Sequence, residues 1–414
     1  MSNTNKVIDM IAKEALRVAH EKATFIGSIN RSYDDSFSKS GAKIGSTLRV
    51  RDPNQYTRRQ GSRIMNVQDQ NSSTQTITVA TQDGVDMRFN SAELAQDIDY
   101  LSEQYISPAM SALVSGIDGD CLTTATKETF NTAGTAGTVV GTVTSGFSDT
   151  SALGKARAKL NQGLAPMDDR SVQMDSVTMA SVANGIKGLF LPKTEVERAW
   201  RDGFIGQTAA STFYENERTW SLTNISDVTG TTDAASLVTD GGTTVDMHST
   251  VVSPAVGSVF TIDGVYACHP ETKAAYAHLQ QFTVITTSAG AGCTVSPTIY
   301  LGLSDSTAAK RNVCSASGAA LALTDFNSKT LTFHGAASTT YRQNLMYHRD
   351  AFTFVTADLP LMDDAHKCVR MTKDGISLRV WQASDIRNDE LLLRIDVLYG
   401  FKTLRPAWAC RISN

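Results

Sequence analysis

The sequence predicts an α+β protein of several domains, with an all-β segment inserted late in the chain. Helical spacing of apolar residues occurs in the first half, for example at Leu94, Ile98 and Leu101. After about residue 223, short β-branched and aromatic runs alternate with Gly, Asp and Pro instead. A chain of 414 residues has room for about two to four domains of ordinary size.

The charge balance argues against a protein whose main task is to bind nucleic acid. Lys and Arg total 38 and Asp and Glu total 42, which gives a net charge of −4 at pH 7. Non-specific nucleic-acid binding depends on a basic surface that contacts phosphates. A membrane span is not predicted either, since the charge-free stretch at residues 129–148 consists mainly of Thr, Gly, Ser and Ala.

The six cysteines are scattered and show neither C-x-x-C nor zinc-type spacing. An even number would allow disulfides. Charged residues, however, interrupt the N-terminal segment 6–22, where a secretion signal would need an apolar core. We therefore expect reduced, buried thiols in a protein made in the cytoplasm.

An amphipathic helix is predicted near the N-terminus, over residues 5–23. Val7, Ile11 and Leu16 recur at helical spacing, and the polar residues 30–43 follow. The periodicity alone fits two structures equally well: the first helix of a globular domain, or an arm that extends away from its own domain.

Two β-strands with a long polar connection are predicted between residues 44 and 90. Alternation at Leu48 and Val50, and again at Ile77 and Val79, indicates the strands. The connection between them is rich in arginine. This pattern favours a long hairpin with a charged tip.

A helical region follows the hairpin. Asn90 can cap its first turn, and Glu93 is placed to complete a capping box. Ser107 and Pro108 predict a break and a restart, because proline fits the first turn of a helix and disrupts an interior. The second helix is expected to continue through Leu122.

Helices and short strands alternate over residues 149–222. The pattern predicts helices over residues 151–160 and 179–188, with a strand over residues 171–177 between them.

Residues 223–344 have a different composition. Helical periodicity disappears, and β-like runs such as SVFTIDGVYA and KTLTFHG are separated by Gly and Asp. Helix-rich sequence lies before this segment and further strands lie after it. The sequence therefore predicts a small sandwich or barrel that is inserted into another domain.

The C-terminal strands carry the most informative pattern. One run extends from Phe354 to Pro360 and ends in Leu-Pro, and the final run passes through Tyr399-Gly400 to Arg405-Pro406. In type and order, these and the preceding segments resemble the major coat protein of tailed double-stranded DNA phages, which has the Hong Kong 97-type fold. They resemble most the short-tailed phage subfamily whose coat protein carries an inserted I-domain.

The resemblance implies a Hong Kong 97-like capsid fold in six segments. These are an N-arm (1–43), an E-loop hairpin (44–76), a P-domain with its spine helix (77–130), the first part of an A-domain (131–222), an inserted all-β I-domain (223–344) and the closing strands of the A- and P-domains (345–414). In the family, the N-arm lies along a neighbouring subunit and the E-loop reaches over the next one.

The residue patterns of common enzymes are missing from the sequence. No G-x-S-x-G nucleophile elbow occurs, and Gly146 of the glycine-rich run is followed by Phe147 where a P-loop needs Lys. The acidic pairs Asp168–Asp169 and Asp363–Asp364 lack further ligands at metal-site spacing, so solvated turns explain them better. We expect no catalytic residue, no cofactor and no metal site.

The arginines of the hairpin suggest contacts between subunits. A solvated loop tip explains them about equally well, but the start of the spine helix is acidic. If each hairpin lies on a neighbouring subunit, arginine–carboxylate pairs would orient the interface. The residues of this hypothesis are Arg58, Arg59, Arg63, Asp97, Asp99 and Glu103. The hairpin tip holds no lysine, so the family's Lys–Asn cross-link is not expected.

The resemblance implies a major capsid protein that self-assembles as hexamers and pentamers into an icosahedral head and encloses double-stranded DNA without binding it specifically. Because only about forty residues precede the hairpin, a separate scaffolding protein is expected and N-terminal processing is not. A portal is a further partner, no membrane is involved, and the location is the virion after assembly in the host cytoplasm. The alternative is a secreted or surface β-rich adhesin, suggested by the Thr-, Ser- and Gly-rich middle and opposed by the missing secretion signal.

Overall fold

The computed structural model describes residues 12–17, 23–31, 47–58, 61, 64–65, 67, 73–90, 105–140, 143–144, 147–148, 151–186, 207–208, 211–225, 228–234, 237–247, 254–287, 292–362, 367–373, 376–385, 387–388 and 390–414. Helices and sheets both occur, and this confirms the predicted α+β class. The helices are α1 (residues 12–17), α2 (Thr24–Ser28), α3 (Ser107–Glu128), α4 (Ser151–Gln162), α5 (Ser176–Ile186) and α6 (Asp305–Ala308).

The strands begin with β1 (Thr47–Arg51), β2 (Thr74–Thr78), β3 (Thr81–Asn90), β4 (Thr132–Ala133), β5 (Val143–Thr144), β6 (Phe147–Ser148), β7 (Arg170–Met174), β8 (Gln207–Thr208), β9 (Ser211–Glu215), β10 (Ser221–Thr223), β11 (Thr229–Thr231) and β12 (Gly242–Val245). They continue with β13 (Val259–Cys268), β14 (Ala275–Thr286), β15 (Cys293–Ile299), β16 (Val313–Cys314), β17 (Thr330–Phe333), β18 (Thr340–His348), β19 (Phe352–Ala357), β20 (Lys367–Lys373), β21 (Ile376–Asp385), β22 (Glu390–Thr403) and β23 (Ala409–Ser413).

The chain divides into two compact units. The first contains residues Met1–Val50, Gln75–Leu122 and Phe352–Leu404. Its main element is a five-stranded antiparallel sheet in the order β19-β22-β21-β20, with β3 also paired to β22. β22 is the long central strand of this sheet, because β3 pairs with ten of its residues while β19 and β21 pair with its two ends.

Helix α3 begins at Ser107, with Pro108 at its second position. Proline is tolerated there because the first backbone N–H groups of a helix have no intrahelical acceptor. A π-helical turn at residues 105–106 leads directly into the helix. The predicted restart at this proline is therefore confirmed, whereas Glu93 and the predicted preceding helix lie largely outside the described residues.

The second unit contains residues Arg51–Thr74, Thr123–Ala351 and Arg405–Asn414. Its central sheet has the order β4-β23-β18-β7-β9-β8, with β10 paired to β18. The C-terminal strand β23 is an internal strand of this sheet, since it pairs with β18 on one side and with β4 on the other. Buried residues of α4 and α5 form an apolar core with the central sheet.

The predicted strand over residues 171–177 is too long at its C-terminal end. β7 ends at Met174, and α5 begins at Ser176. Asp175 lies between them with its carboxylate accepting hydrogen bonds from the backbone N–H and the hydroxyl of Thr178. A side chain that caps the first turn in this way favours a helix start over a longer strand.

A separate seven-stranded sheet lies between β10 and β18 in sequence. This inserted sheet has the order β11-β17-β13-β14-β15-β12, with β16 paired to β13. One of its faces builds its own core, which includes Phe260, Phe282 and Phe333. The two ends of the insertion meet, because β10 and β18 pair antiparallel with Thr223 opposite Thr340.

Candidate assembly surface

A long loop, residues 52–73, connects β1 and β2. These two strands form a two-stranded sheet. The loop is closed at its base, where the backbone N–H of Asp52 donates to the carbonyl of Ser73 at 2.9 Å and the Ser73 hydroxyl donates to the Asp52 carboxylate at 3.2 Å. The predicted strands and their long connection are therefore present as a hairpin.

Large apolar side chains project from this loop into solvent. The exposed fractions are 58% for Tyr56, 80% for Ile64, 75% for Met65 and 77% for Val67. Single exposed apolar residues are ordinary, whereas contiguous exposed apolar patches are typical of interaction sites. The residues Ile64, Met65 and Val67 are the signal in the sequence that could have predicted this surface, but polar residues and arginines dominate the connection around them.

Only one residue of the predicted arginine–carboxylate interface can be placed. Arg58 lies on the long loop and is exposed. The others, Arg59, Arg63, Asp97, Asp99 and Glu103, lie outside the described residues. The pairing of these groups between subunits therefore stays a prediction.

A buried carboxylate pairs with two arginines in the sheet of the first unit, one buried and one half-exposed. Asp396 on β22 is fully buried, and its carboxylate accepts hydrogen bonds from Arg379 Nη2 at 2.6 Å and from Arg394 Nε at 2.7 Å. Arg379 and Asp396 are direct partners in the β21–β22 register, and Arg379 is 5% exposed. The hydrogen bond to Asp396 raises the pKa of Arg394. Sequence reasoning found none of these three residues.

A second buried cation, Arg411 on β23, joins the central sheet to the inserted sheet. Its guanidinium donates to the carbonyl of Gly257, to the carbonyl of Lys127 at 2.8 Å and to the hydroxyl of Thr283 at 2.7 Å. Arg411 is completely buried, and this burial lowers its pKa to about 9. Three acceptors from separate parts of the unit therefore converge on one side chain.

A glycine makes this convergence possible. Gly257 has φ +91°, and a Cβ there would lie 2.6 Å from the ring of Trp220. Two cations lie over the same ring: Arg411 Cζ is 6.0 Å from its centroid and Lys127 Nζ is 5.3 Å from it. Aromatic faces attract cations, so the ring stabilises both.

Further hydrogen bonds join the two sheets next to Arg411. The backbone N–H of Thr132 on β4 donates to Gln281 Oε1 at 2.9 Å, and Gln281 Nε2 donates back to the Thr132 carbonyl at 3.2 Å. Gln281 and Thr283 lie on the face of β14 opposite to that of Phe282, which belongs to the core of the inserted sheet. We call the contacts of Arg411, Thr283, Gln281 and Thr132 the junction.

The described residues show no arrangement typical of a metal site or a thiol catalyst. They contain no group of three or more His, Cys, Asp or Glu side chains placed to hold an ion. All six cysteines are free, and five are buried. Asp168 and Asp169 lie in the exposed turn before β7, as predicted, whereas Asp363 and Asp364 lie outside the described residues.

Within the described part of the chain, no helix is both long and apolar enough to cross a membrane.

Comparisons with known proteins give the family. Residues 66–410 match the family described as "P22 coat protein - gene protein 5". No curated protein matches the chain. One similar solved structure is that of Mycobacterium phage Che8, with 12% identity, coverage of 94% of this chain and 90% of that one, and a TM-score of 0.49. The capsid of the Cyanophage P-SCSP1u has 12% identity, coverage of 89% and 83%, and a TM-score of 0.43. The capsid of the Myoviridae Phage XM1 has 11% identity, coverage of 95% and 92%, and a TM-score of 0.40.

These solved structures share 12% identity or less with the chain, and the family match gives its identity. That match begins within the long loop and runs through the inserted sheet to β23. It confirms the resemblance to phage coat proteins found in the sequence. The chain belongs to the P22 coat protein family, and it is a major capsid protein of a phage head.

Proposed function

We propose that this capsid protein assembles as hexamers and pentamers into a closed icosahedral shell, in which the long loop of each subunit lies on a neighbouring copy. The observation that carries the proposal is the exposure of Tyr56, Ile64, Met65 and Val67 on one loop. Burying one such side chain fully stabilises a contact by about 1.5–3 kcal/mol. A contact that is repeated at every subunit of a closed shell adds up to a stable particle although each one is weak.

The remaining partners follow from the family resemblance. A separate scaffolding protein would direct assembly, a portal would occupy one vertex, and the shell would enclose double-stranded DNA. A net charge of −4 supports enclosure without specific binding, because counterion release requires many basic contacts. The finished subunit would reside in the virion after assembly in the host cytoplasm.

The apolar loop gives the first test. Replacing Ile64 and Met65 with serine should leave the monomer folded, because these side chains are exposed, and should strongly reduce shell formation. Shells are counted by negative-stain electron microscopy after co-expression with the scaffolding protein, and folding is checked by circular dichroism. The matched control is Leu323→Ser, which changes a 43% exposed leucine elsewhere. Normal shell yields from the double variant would exclude the loop as an assembly contact.

The arginines give a second test, which separates charge from apolar contact. Reversing Arg58 and Arg59 to glutamate should impair assembly by placing like charges at the interface, with the monomer again folded. Partial rescue by Asp97→Arg or Asp99→Arg would identify the acidic partner. If the reversed protein forms shells at normal yield, the arginine–carboxylate hypothesis is wrong, and the apolar contact can still hold.

A further inference from the structure

We propose that Gly400 and Gln75 are positioning residues for assembly. They hold β1 and β2, the two strands that support the long loop, against the five-stranded sheet of the first unit at two points. We call these two strands the stem. The proposal rests on the proposed role of the long loop as a contact between subunits, and it adds the residues that fix the direction in which the stem carries that loop.

Gly400 lies where the stem touches the sheet. It belongs to β22 and is opposite Val355 in the β19–β22 register. A Cβ at this position would lie 3.1 Å from the Cα of Val79 and 3.0 Å from the carbonyl carbon of Thr78. Stacked sheets with side chains between them are about 10 Å apart. The absent side chain therefore lets the backbone at the end of β2 contact the backbone of β22.

A hydrogen bond holds the stem at a second point. Gln75 Nε2, near the start of β2, donates to the carbonyl of Leu404 at 2.9 Å. The span from Gln75 to Thr78 is about 10 Å on an extended strand, and the span from Gly400 to Leu404 is about 13 Å. Two contacts at comparable spacings fix a direction as well as a position. β2 therefore runs opposite to β22 along the C-terminal end of that strand.

Apolar side chains fill the space around the two contacts. Ile77 and Val79 form a buried cluster with Val355 and Leu404. Partly buried side chains pack against it from both strands of the stem and from the sheet: Leu48, Val50, Ala357 and Leu398. Apolar burial stabilises the contact but is non-directional. The glycine and the hydrogen bond therefore supply the direction.

The opposite face of β22 does not depend on the stem. Tyr399 precedes Gly400, and successive residues of a strand point to opposite faces of the sheet. The Tyr399 hydroxyl donates to Asp83 Oδ2 at 3.0 Å, and its ring stacks on that of Phe354 with centroids 5.5 Å apart. A change at Gly400 therefore acts on the stem and leaves these contacts in place.

The variant Gly400→Ala tests the proposal in the full-length subunit. Its methyl group displaces β2, and overpacking of this kind shifts an equilibrium by at least about fivefold. The critical concentration for shell formation, measured by light scattering with the scaffolding protein, should rise by at least that factor, because apparent affinity falls with the competent fraction. The matched control is Gly116→Ala in α3, where a Cβ meets no described atom within 4 Å. It should assemble normally.

A thiol reports whether the stem has moved. Ile77 is fully buried in the cluster, so the thiol introduced by Ile77→Cys should be protected from a maleimide. Adding Gly400→Ala should speed its labelling by at least about fivefold, the factor expected from the displaced fraction. Cys121 of α3, which is 2% exposed, should stay unreactive in the same sample. Peptide mapping by mass spectrometry separates the two thiols.

The variant Gln75→Leu removes the second contact without adding a clash, and it decides the question if Gly400→Ala does not fold. Its critical concentration should rise by a factor between about two and ten, the range given by the loss of one hydrogen bond. The proposal is overturned if both variants assemble like Gly116→Ala, or if the Ile77→Cys thiol stays protected in both. Parallel labelling of Cys121 would also overturn it, because the glycine would then support the whole unit and not the stem.

Failure of the loop contact itself has a different signature. In that case Ile64→Ser/Met65→Ser forms normal shells, although the Ile77→Cys thiol still becomes reactive in the Gly400→Ala protein.

Discussion

Replacing Asp396 with alanine will destabilise the subunit by about 3–5 kcal/mol, the cost typical of removing one partner of a buried ion pair. The loss is large because the Arg379 guanidinium stays buried at 5% exposure without its carboxylate. Urea denaturation of the monomeric subunit measures the effect. A typical domain has only about 5–15 kcal/mol of stability, so yields of folded protein should also fall.

The control for this prediction lies on the same strand. Glu390 forms an exposed pair with Arg88 at 3.3 Å, in which the arginine side chain is 76% exposed. Exposed pairs contribute at most about 1 kcal/mol, so Glu390→Ala should be nearly neutral. If Asp396→Ala costs no more than Glu390→Ala, the buried cluster does not stabilise the sheet. Asp396→Asn, which keeps the shape, provides a milder change if the alanine variant does not fold.

Replacing Arg411 with methionine will loosen the junction and cost at least about 3 kcal/mol. A hydrogen bond from a charged group contributes about 1.5–3 kcal/mol, and three such bonds are lost at once. The carbonyls of Lys127 and Gly257 are then left without this donor. Scanning calorimetry should resolve a separate, earlier transition of the inserted sheet, because its link to the central sheet is weakened.

Arg342→Met is the matched control for the arginine. Arg342 also lies on a strand of the central sheet, but its side chain is 45% exposed and meets Glu217 at 3.4 Å. Its loss should change stability by less than about 1 kcal/mol. A single unshifted transition in the Arg411→Met protein would show that the junction contributes little.

Local patterns predicted most of the elements. The β-like runs predicted β13 and β17, helical spacing predicted α4, and proline predicted the start of α3. These signals depend on neighbouring residues, which is why one sequence suffices to see them. The end of β7 was predicted wrongly because the β-branched residue Val177 favours a strand, whereas Asp175 caps a helix that begins at Ser176.

The buried charges could not be predicted in the same way. Asp396 meets Arg379 only through the register of two strands, and Arg411 meets Lys127 and Thr283 only after the sheets are in place. The one local hint is an arginine within the apolar run Ala409–Ile412, where an exposed residue is not expected.

Because Thr223 pairs with Thr340, residues 224–339 leave the central sheet and return to it at directly opposite positions. A segment whose two ends are paired in this way can be lengthened or removed without shifting the register of any other strand pair. A two-residue turn could close that hairpin, which is the ordinary way to join antiparallel neighbours. Loss of that segment would take from Arg411 two of its acceptors, the carbonyl of Gly257 and the hydroxyl of Thr283.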